Sequence, residues 1–489
     1  MDGKPQPTYV ELHLHSAYSF LDGASQAHEL IARAKELGYQ ALAITDHDGL
    51  HGALEFARCA REAGIRPITG AEITLIDGSH LTLLAETQQG YRNLCRLIPA
   101  SSRTTPPNTR PWLPESEAAQ WADEQDDDDA PGHYRDPENA PWLDPALLKR
   151  YAKGLILLTG CRHGRLAQLI DADQPAEAEA QLRDYIAWFG SNNVFVELQQ
   201  NYVHGDTGRI DRLVKLAKKA GVSYVPTGNV HYHIQERHRL QDVLVAIRHR
   251  STLDGSHRQR RPNSGFHLVS PEEMAHRFSR YPKAIATSAA IAERCAAFDL
   301  NNDLGYTFPG YSTDLDETDD EALARICAPM LDYRYPPGSD DRLKAEERLA
   351  DELRIIKIRG LAGFFLIHYD LLELAREVAV EIRGVDTARD RSNLPPGRGR
   401  GSSVSSLVCY LIGLSPVDPL KHKLSVGRFL NEEVSSVPDI DLDFPRDIRE
   451  RLIARIHEDY GDRAAMVCAF ATYRLRSAVH HAARIARSR

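Results

Sequence analysis

The segment Pro438-Asp439-Ile440-Asp441-Leu442-Asp443-Phe444 alternates carboxylates with apolar side chains. Successive side chains of a β-strand point to opposite faces. Asp439, Asp441 and Asp443 therefore share one face, and Ile440, Leu442 and Phe444 the other. The apolar face fits a core. The charged face repels itself unless something neutralises it. Two arrangements relieve that repulsion. One is a solvated edge strand whose charges discourage edge-to-edge pairing. The other is a hard divalent cation such as Mg²⁺ shared between the carboxylates and brought in with phosphates. Two ions held by shared carboxylates carry out in-line phosphoryl transfer.

Upstream, Gly399-Arg400-Gly401-Ser402-Ser403 precedes Val404–Leu411, which reads as a helix. Small residues at a helix start let backbone N–H groups reach a phosphate, and the helix dipole favours the anion. Arg400 adds a fork-shaped donor for phosphate oxygens. An ordinary loop with an N-cap serine would read the same way. A phosphate-binding turn and a metal-binding carboxylate strand about forty residues apart are more specific together. They are two halves of a nucleotidyltransferase site.

A second constellation lies near the N-terminus. His13 and His15 stand two apart on an apparent strand, so both rings face one way. Asp22 follows in the next loop. Asp46-His47-Asp48 ends the apolar strand 41–45, Glu72 follows Gly70-Ala71, and His80 opens the strand 81–85. Cys161 ends 155–160, and His231 ends 224–230. A lone histidine beside an apolar strand is usually structural. A series of His, Asp, Glu and Cys at successive strand ends is different, because the ends of parallel strands converge on one rim. Mixed imidazole, carboxylate and thiolate donors suit Zn²⁺, Mn²⁺ or Fe²⁺ rather than Mg²⁺ alone.

These motifs carry a family resemblance. GRGSSVSSLVCYLIGLSPVDP, GRFLNEEVSSVPDIDLDFP and TYRLRSAV resemble the palm of bacterial replicative DNA polymerase III alpha subunits (C family), and the SSVSS and SSVPDIDLDF wording most resembles the error-prone branch. The resemblance implies that Asp441 and Asp443 are catalytic Mg²⁺ ligands, with Asp439 a weaker candidate. It implies that Gly401, Ser402 and Ser403 bind the incoming triphosphate, and Arg428 of GRFLNEE fits a phosphate-facing position. Residues from about Tyr9 to His249 resemble the polymerase-and-histidinol-phosphatase (PHP) domain, a distorted β/α barrel. The metal ligands there would be His13, His15, Asp22, His47, Glu72, His80, Cys161 and His231. One departure stands out. The family typically has an aspartate ligand just before the last histidine, where this chain has Gly228-Asn229-Val230-His231. Asparagine is a weaker donor, which weakens one metal position.

Composition bounds the rest. A chain of 489 residues holds two to four domains. Its net charge of −9 argues against a binder of nucleic acid driven by global charge. Residues 463–489, however, contain six arginines and no acidic residue, a stretch suited either to a DNA backbone or to a solvated helix face. Seven scattered cysteines suit reduced thiols in a cytoplasm, no secretory leader opens the chain, and no apolar run reaches the ~18 residues of a membrane span.

The expected fold class is α/β: a PHP-type barrel followed by a partial nucleotidyltransferase-like palm, similar to that of polymerase beta. The expected boundaries are 1–250 for the PHP domain, 251–345 for a helical connection and 346–489 for the palm. Residues 99–145, with nine of the 27 prolines and four consecutive aspartates, read as a polar insertion. Helices are expected at Ala27–Leu37, Leu54–Ala63, Arg342–Ile358 and Asp370–Val380. The family resemblance also calls for a third aspartate, fingers and DNA- and clamp-binding domains beyond Arg489. The expectation is therefore an N-terminal fragment of an error-prone DNA polymerase, with primer-template DNA and dNTPs as substrates and a sliding clamp and mutagenesis accessory proteins as partners. The alternatives are a metal-dependent phosphoesterase and a catalytically inactive assembly partner.

Overall fold

A computed structural model of the protein describes residues 9–101, 143–304, 311, 316–384, 396–430, 440–467, 470 and 472–486. The chain divides into two compact units, Met1–Gly305 with Phe470–Arg489, and Tyr306–Ala469.

In the first unit six strands form one sheet: β1 (Ala41–Ile44), β2 (Arg66–Thr74), β3 (His80–Ala85), β4 (Leu155–Leu158), β5 (Val194–Gln199) and β6 (Ser223–Thr227), in that order. β1–β2, β4–β5 and β5–β6 pair parallel, and β3 runs antiparallel to both neighbours. The reversal has a local cause. Asp77-Gly78 turns the chain tightly between β2 and β3: Gly78 takes φ 76°, and the Leu75 amide donates to the Ser79 carbonyl at 2.8 Å. The parallel pairs need helical crossovers instead. One of these is Ala53–Glu62, which with Ala27–Glu36 lies close to the sequence expectation.

The extended segment Tyr9–His15 closes this sheet. It forms isolated parallel bridges, Glu11 with Leu42 and Leu14 with Val230, rather than the continuous strand expected. Its bonds explain why. Ala43 and Thr45 donate to the Glu11 and Leu14 carbonyls, whereas Val230 donates to His13 and His15 donates to Val230. The segment thus serves both sheet edges and keeps register with neither. Glu11 fixes the seam by accepting from Tyr9 Oη (2.7 Å) and the Gly228 amide (2.9 Å). A Cβ on Gly228 would come within 2.7 Å of that carboxylate, so the close approach requires glycine. The result is the distorted β/α barrel that the resemblance implies.

Alternation along the strands sorts the interior. Ile68, Leu84, Ile156, Leu158, Phe195 and Val225 pack in one apolar cluster, with Ile291, Ala292 and Cys295 of the helix Pro282–Cys295. Further along the same strand faces stand Glu72, Thr82, Glu197 and Thr227, all buried. Glu72 lies opposite Thr82 in the β2–β3 register. One end of the barrel is therefore apolar and the other polar.

The second unit packs the helices Asp319–Arg334, Arg342–Ile358, Ala362–Arg383 and Leu407–Leu411 around a separate apolar cluster. Arg342–Ile358 matches its expected range, and the helix expected over Asp370–Val380 is longer at both ends. A two-stranded antiparallel sheet, β7 (Arg398–Arg400) and β8 (Asp441–Asp443), completes the described part. The helix expected over Val404–Leu411 starts only at Leu407. Gly401–Ser405 is a 3₁₀ turn, and Ser406 is extended and caps the helix through Cys409 N. Asp439, most of the polar insertion and residues 385–395 lie outside the described residues. Among the described residues no helix is long and apolar enough to cross a membrane.

The Leu407 helix start is already served by a carboxylate that the sequence reading overlooked. Glu352 is fully buried. It accepts from Ser406 Oγ (2.7 Å), Leu407 N (2.9 Å), Val408 N (3.0 Å) and Arg348 Nε (3.0 Å). Glu352→Ala would leave those donors unmatched. It is expected to destabilise the second unit by about 3 kcal/mol or more, read as a shift of that unit's urea transition. An unchanged transition would rule out this role.

Candidate functional site

The polar end of the barrel gathers the eight side chains singled out in the N-terminal part. Glu72 stands among four imidazoles. Its Oε1 lies 3.4 Å from His13 Nε2 and 3.3 Å from His80 Nδ1, and its Oε2 lies 2.8 Å from His47 Nδ1 and 3.6 Å from His15 Nε2. Asp22 reaches His47 Nε2 at 3.0 Å and His231 Nε2 at 3.5 Å. The Cys161 sulfur lies 3.9 Å from His80 Nδ1. His15 and His47 stack at 4.3 Å between ring centroids.

Each residue has a structural reason to be there. His80 opens a strand rather than ending one, yet reaches the same rim because β3 runs the other way. Asp22 is held by a tight loop in which Gly23 passes so near Ser16 that a Cβ would lie 1.8 Å from the Ser16 carbonyl oxygen. Asp46 is not turned to the cluster. It accepts from Ser16 N and Oγ and from Ser19 Oγ, and so braces that loop.

The electrostatics are those of a site built for cations. Burial alone would raise the Glu72 carboxyl, but His80, His47 and His13 hold it well below the usual carboxylate range. Burial opposes protonation of His13, yet Glu197 and Glu72 outweigh it and push the imidazole up to about 10. His15 is lowered well below its ordinary value by burial and by His231 and His47. Burial, then Glu72, pushes the Cys161 thiol well up. His13 Nε2, His15 Nε2 and Glu72 Oε1 are buried without a hydrogen-bond partner. Such converging, unpartnered donor atoms fit a metal ion, which would take the place of the proton on His13. Among the described residues three overlapping groups have metal-ligand spacing: His13, His15 and Glu72; His47, Glu72 and His80; and His15, His47 and His231.

Several participants were missed in the sequence. Glu197 on β5 bonds His13 Nδ1 at 2.6 Å, an arrangement that orients a ligand imidazole. Its signal was available, a single carboxylate in the apolar strand Val194–Gln199. Gln241 Nε2 donates to Asp22 Oδ1 at 3.0 Å, and Arg261 touches Asp22 and His231. Neither residue had any signal in its pattern. Asn229 is buried with φ 48°. Its carbonyl accepts from His231 Nδ1 at 2.8 Å, while its side-chain amide points to Gln199 Oε1 at 3.5 Å.

In the second unit the β7–β8 register sets Arg400 opposite Asp441 and Arg398 opposite Asp443. The Arg400 Nε lies 3.3 Å from Asp443 Oδ1 and 4.0 Å from Asp441 Oδ2, on a face where all three side chains are about half exposed or more. Leu442 and Phe444 pack against the second core, as the alternation requires. Gly401 follows with φ 74°, a left-handed conformation that favours glycine. Gly401 and Ser402 are exposed. Ser403 is buried, and its hydroxyl donates to the Arg400 carbonyl at 2.8 Å. Arg428 ends a 3₁₀ turn, and its side chain lies outside what the structure describes.

Family comparisons agree with both halves. Residues 11–201 match the PHP domain, and residues 321–488 match the bacterial DNA polymerase III alpha NTPase domain. An error-prone DNA polymerase of Symbiobacterium thermophilum is 37% identical over 96% of this chain and 40% of its own length. That of Mycobacterium tuberculosis is 35% identical over 97% of the chain and 40% of its own length. The DNA polymerase III subunit alpha of Treponema pallidum is 31% identical over 98% of the chain and 38% of its own length. The chain thus spans about 40% of the length of the curated relatives it matches, and along nearly all of its own length its sequence is similar to those of bacterial error-prone DNA polymerases and DNA polymerase III alpha subunits.

Proposed function

We propose that this chain is the N-terminal portion of an error-prone DNA polymerase, made of the PHP domain (1–250), a helical connection (251–345) and part of the palm (346–489). The whole enzyme would extend a primer on template DNA from dNTPs, in damage-induced mutagenesis and translesion synthesis, in the bacterial cytoplasm. The observation that carries the reading is the β7–β8 ribbon, where two aspartates share a face with Arg400 beside a glycine–serine turn. The sliding clamp and mutagenesis accessory proteins would engage sequence in the remaining length of such an enzyme.

Asp441 and Asp443 would hold Mg²⁺, which supplies charge neutralisation at the reacting phosphate and at the primer hydroxyl. The protein's own contribution is placement. The ribbon fixes both carboxylates on one face. Gly401, lacking a Cβ, lets the backbone approach a triphosphate, and Ser402 presents an exposed hydroxyl to it. Ser403 holds the turn's shape through its bond to the Arg400 carbonyl. Arg400 neutralises the aspartates and offers its remaining donors to phosphate oxygens, with Arg428 a further phosphate contact.

In the barrel, His13, His15, His47, Glu72, His80 and Cys161 would hold Zn²⁺ or Mn²⁺, with Fe²⁺ as a further occupant, and Asp22 and His231 are the candidate ligands of the remaining corner. The buried, unpartnered ligand atoms of His13, His15 and Glu72 also favour a second reading, phosphoester cleavage at this centre.

Three outcomes test these assignments. In a polymerase completed with the C-terminal portion of a relative, Asp441→Ala or Asp443→Ala is expected to cut primer extension at least about a hundredfold, while metal content at the barrel stays unchanged. Retained synthesis would sink the palm assignment. In the same assay Arg400→Ala is expected to raise the KM for dNTP about tenfold, the loss of one charge-assisted contact. An unchanged KM would remove Arg400 from the nucleotide site. Glu197→Ala is expected to weaken metal binding at the barrel by about 10–100-fold in competition with a chelator. Equal affinity would show that His13 needs no orienting carboxylate.

A further inference from the structure

The strongest observation left unused is a cation inside the histidine centre. Arg261 comes from the irregular stretch after the helix His238–Arg248, and its side chain is only 16% exposed. One guanidinium nitrogen, Nη2, lies 3.4 Å from both oxygens of Asp22 and also contacts His231 Nε2. The guanidinium carbon sits 4.8 Å over the ring of Phe266, which is itself buried and accepts the His231 amide through its carbonyl. The arginine is thus held by a stacked ring on one side and an acid–imidazole pair on the other.

The hydrogen-bond pattern fixes what it is doing there. His231 Nδ1 donates to the Asn229 carbonyl at 2.8 Å, so the lone pair of this imidazole is on Nε2. That lone pair, and the Asp22 oxygens beside it, are what a divalent ion would need. Arginine has donors only and keeps its charge, so it satisfies the same atoms that an ion would coordinate. It also repels any ion placed within a few ångströms. Of the three groups with metal-ligand spacing among the described residues, His15, His47 and His231 is the one that draws on His231. The other two, both built on Glu72, lack Arg261 contacts. Arg248, 3.5 Å from Asp22 Oδ2, adds positive charge on the same side.

We propose that Arg261 is a built-in cation that occupies the Asp22–His231 corner and keeps a divalent ion out of it, leaving loading to the two groups centred on Glu72. The inference rests on the reading of the barrel centre as a metal site.

The test is a count of Mn²⁺ per chain by elemental analysis after equilibrium dialysis of the 489-residue protein, with folding followed by circular dichroism. Arg261→Gln is expected to bind about one ion more than the wild type, and Arg261→Gln with His231→Ala to return to the wild-type count. His231→Ala alone is expected to leave the count unchanged, because His231 holds no ion while Arg261 is present. Should Arg261→Gln misfold, Arg261→Met, which still covers Phe266, answers the same question. Equal, non-zero loading in wild type and Arg261→Gln, or loss of an ion in His231→Ala alone, overturns the proposal. No ion at the barrel in any variant overturns the metal-site reading itself.

Discussion

The first unit depends on the company kept by one buried carboxylate. Glu72 sits in the interior of the barrel, where an unpaired charge would cost several kcal/mol. Four imidazoles from three segments surround it: His13 and His15 from the closing segment, His47 from beyond β1, and His80 from the start of β3. The same contacts that make its charge tolerable bring the candidate ligands together. Stability and chemistry are not separable here, since removing the carboxylate would leave a group of buried, mutually repelling imidazoles.

The apolar layer below makes that arrangement possible. Ile68 and Glu72 lie on one face of β2, Leu84 and Thr82 on one face of β3, and Phe195 and Glu197 on one face of β5. One alternation produces both the packed floor and the polar chamber above it. The helix Pro282–Cys295 contributes Ile291, Ala292 and Cys295 to the floor, and Ser288 Oγ accepts from the amide of Val10 in the closing segment. Water is thereby excluded from below, which strengthens the electrostatic interactions inside the chamber.

Much of this was legible in the sequence, and the failures have definite causes. The ligands at strand ends were readable because residue type and strand position coincide: His13, His15, His47, His80 and Glu72 each adjoin an apolar run. The Asp441/Asp443 face was readable because a period of two admits one assignment. The closing segment misled because it divides its hydrogen bonds between two edges, something no local pattern reveals. The short helix at Leu407 misled because Glu352, over fifty residues upstream, caps it. Arg261 lies in the stretch taken as a connection between domains, where no local pattern marks a buried cation, and only the tertiary fold turns it inward.

The order of the units along the chain carries a consequence for biosynthesis. The segment from Phe470 returns to the first unit: Phe470 packs its ring near Tyr18, Phe20 and His51, and the Leu253 amide donates to the Ile485 carbonyl at 3.2 Å. A ribosome therefore delivers the barrel's strands first, then residues 306–469, and only then the segment that covers this part of the barrel. Until then the aromatic surface around Tyr18 and Phe20 stays uncovered on the nascent chain, a stage at which exposed apolar surface favours misassociation.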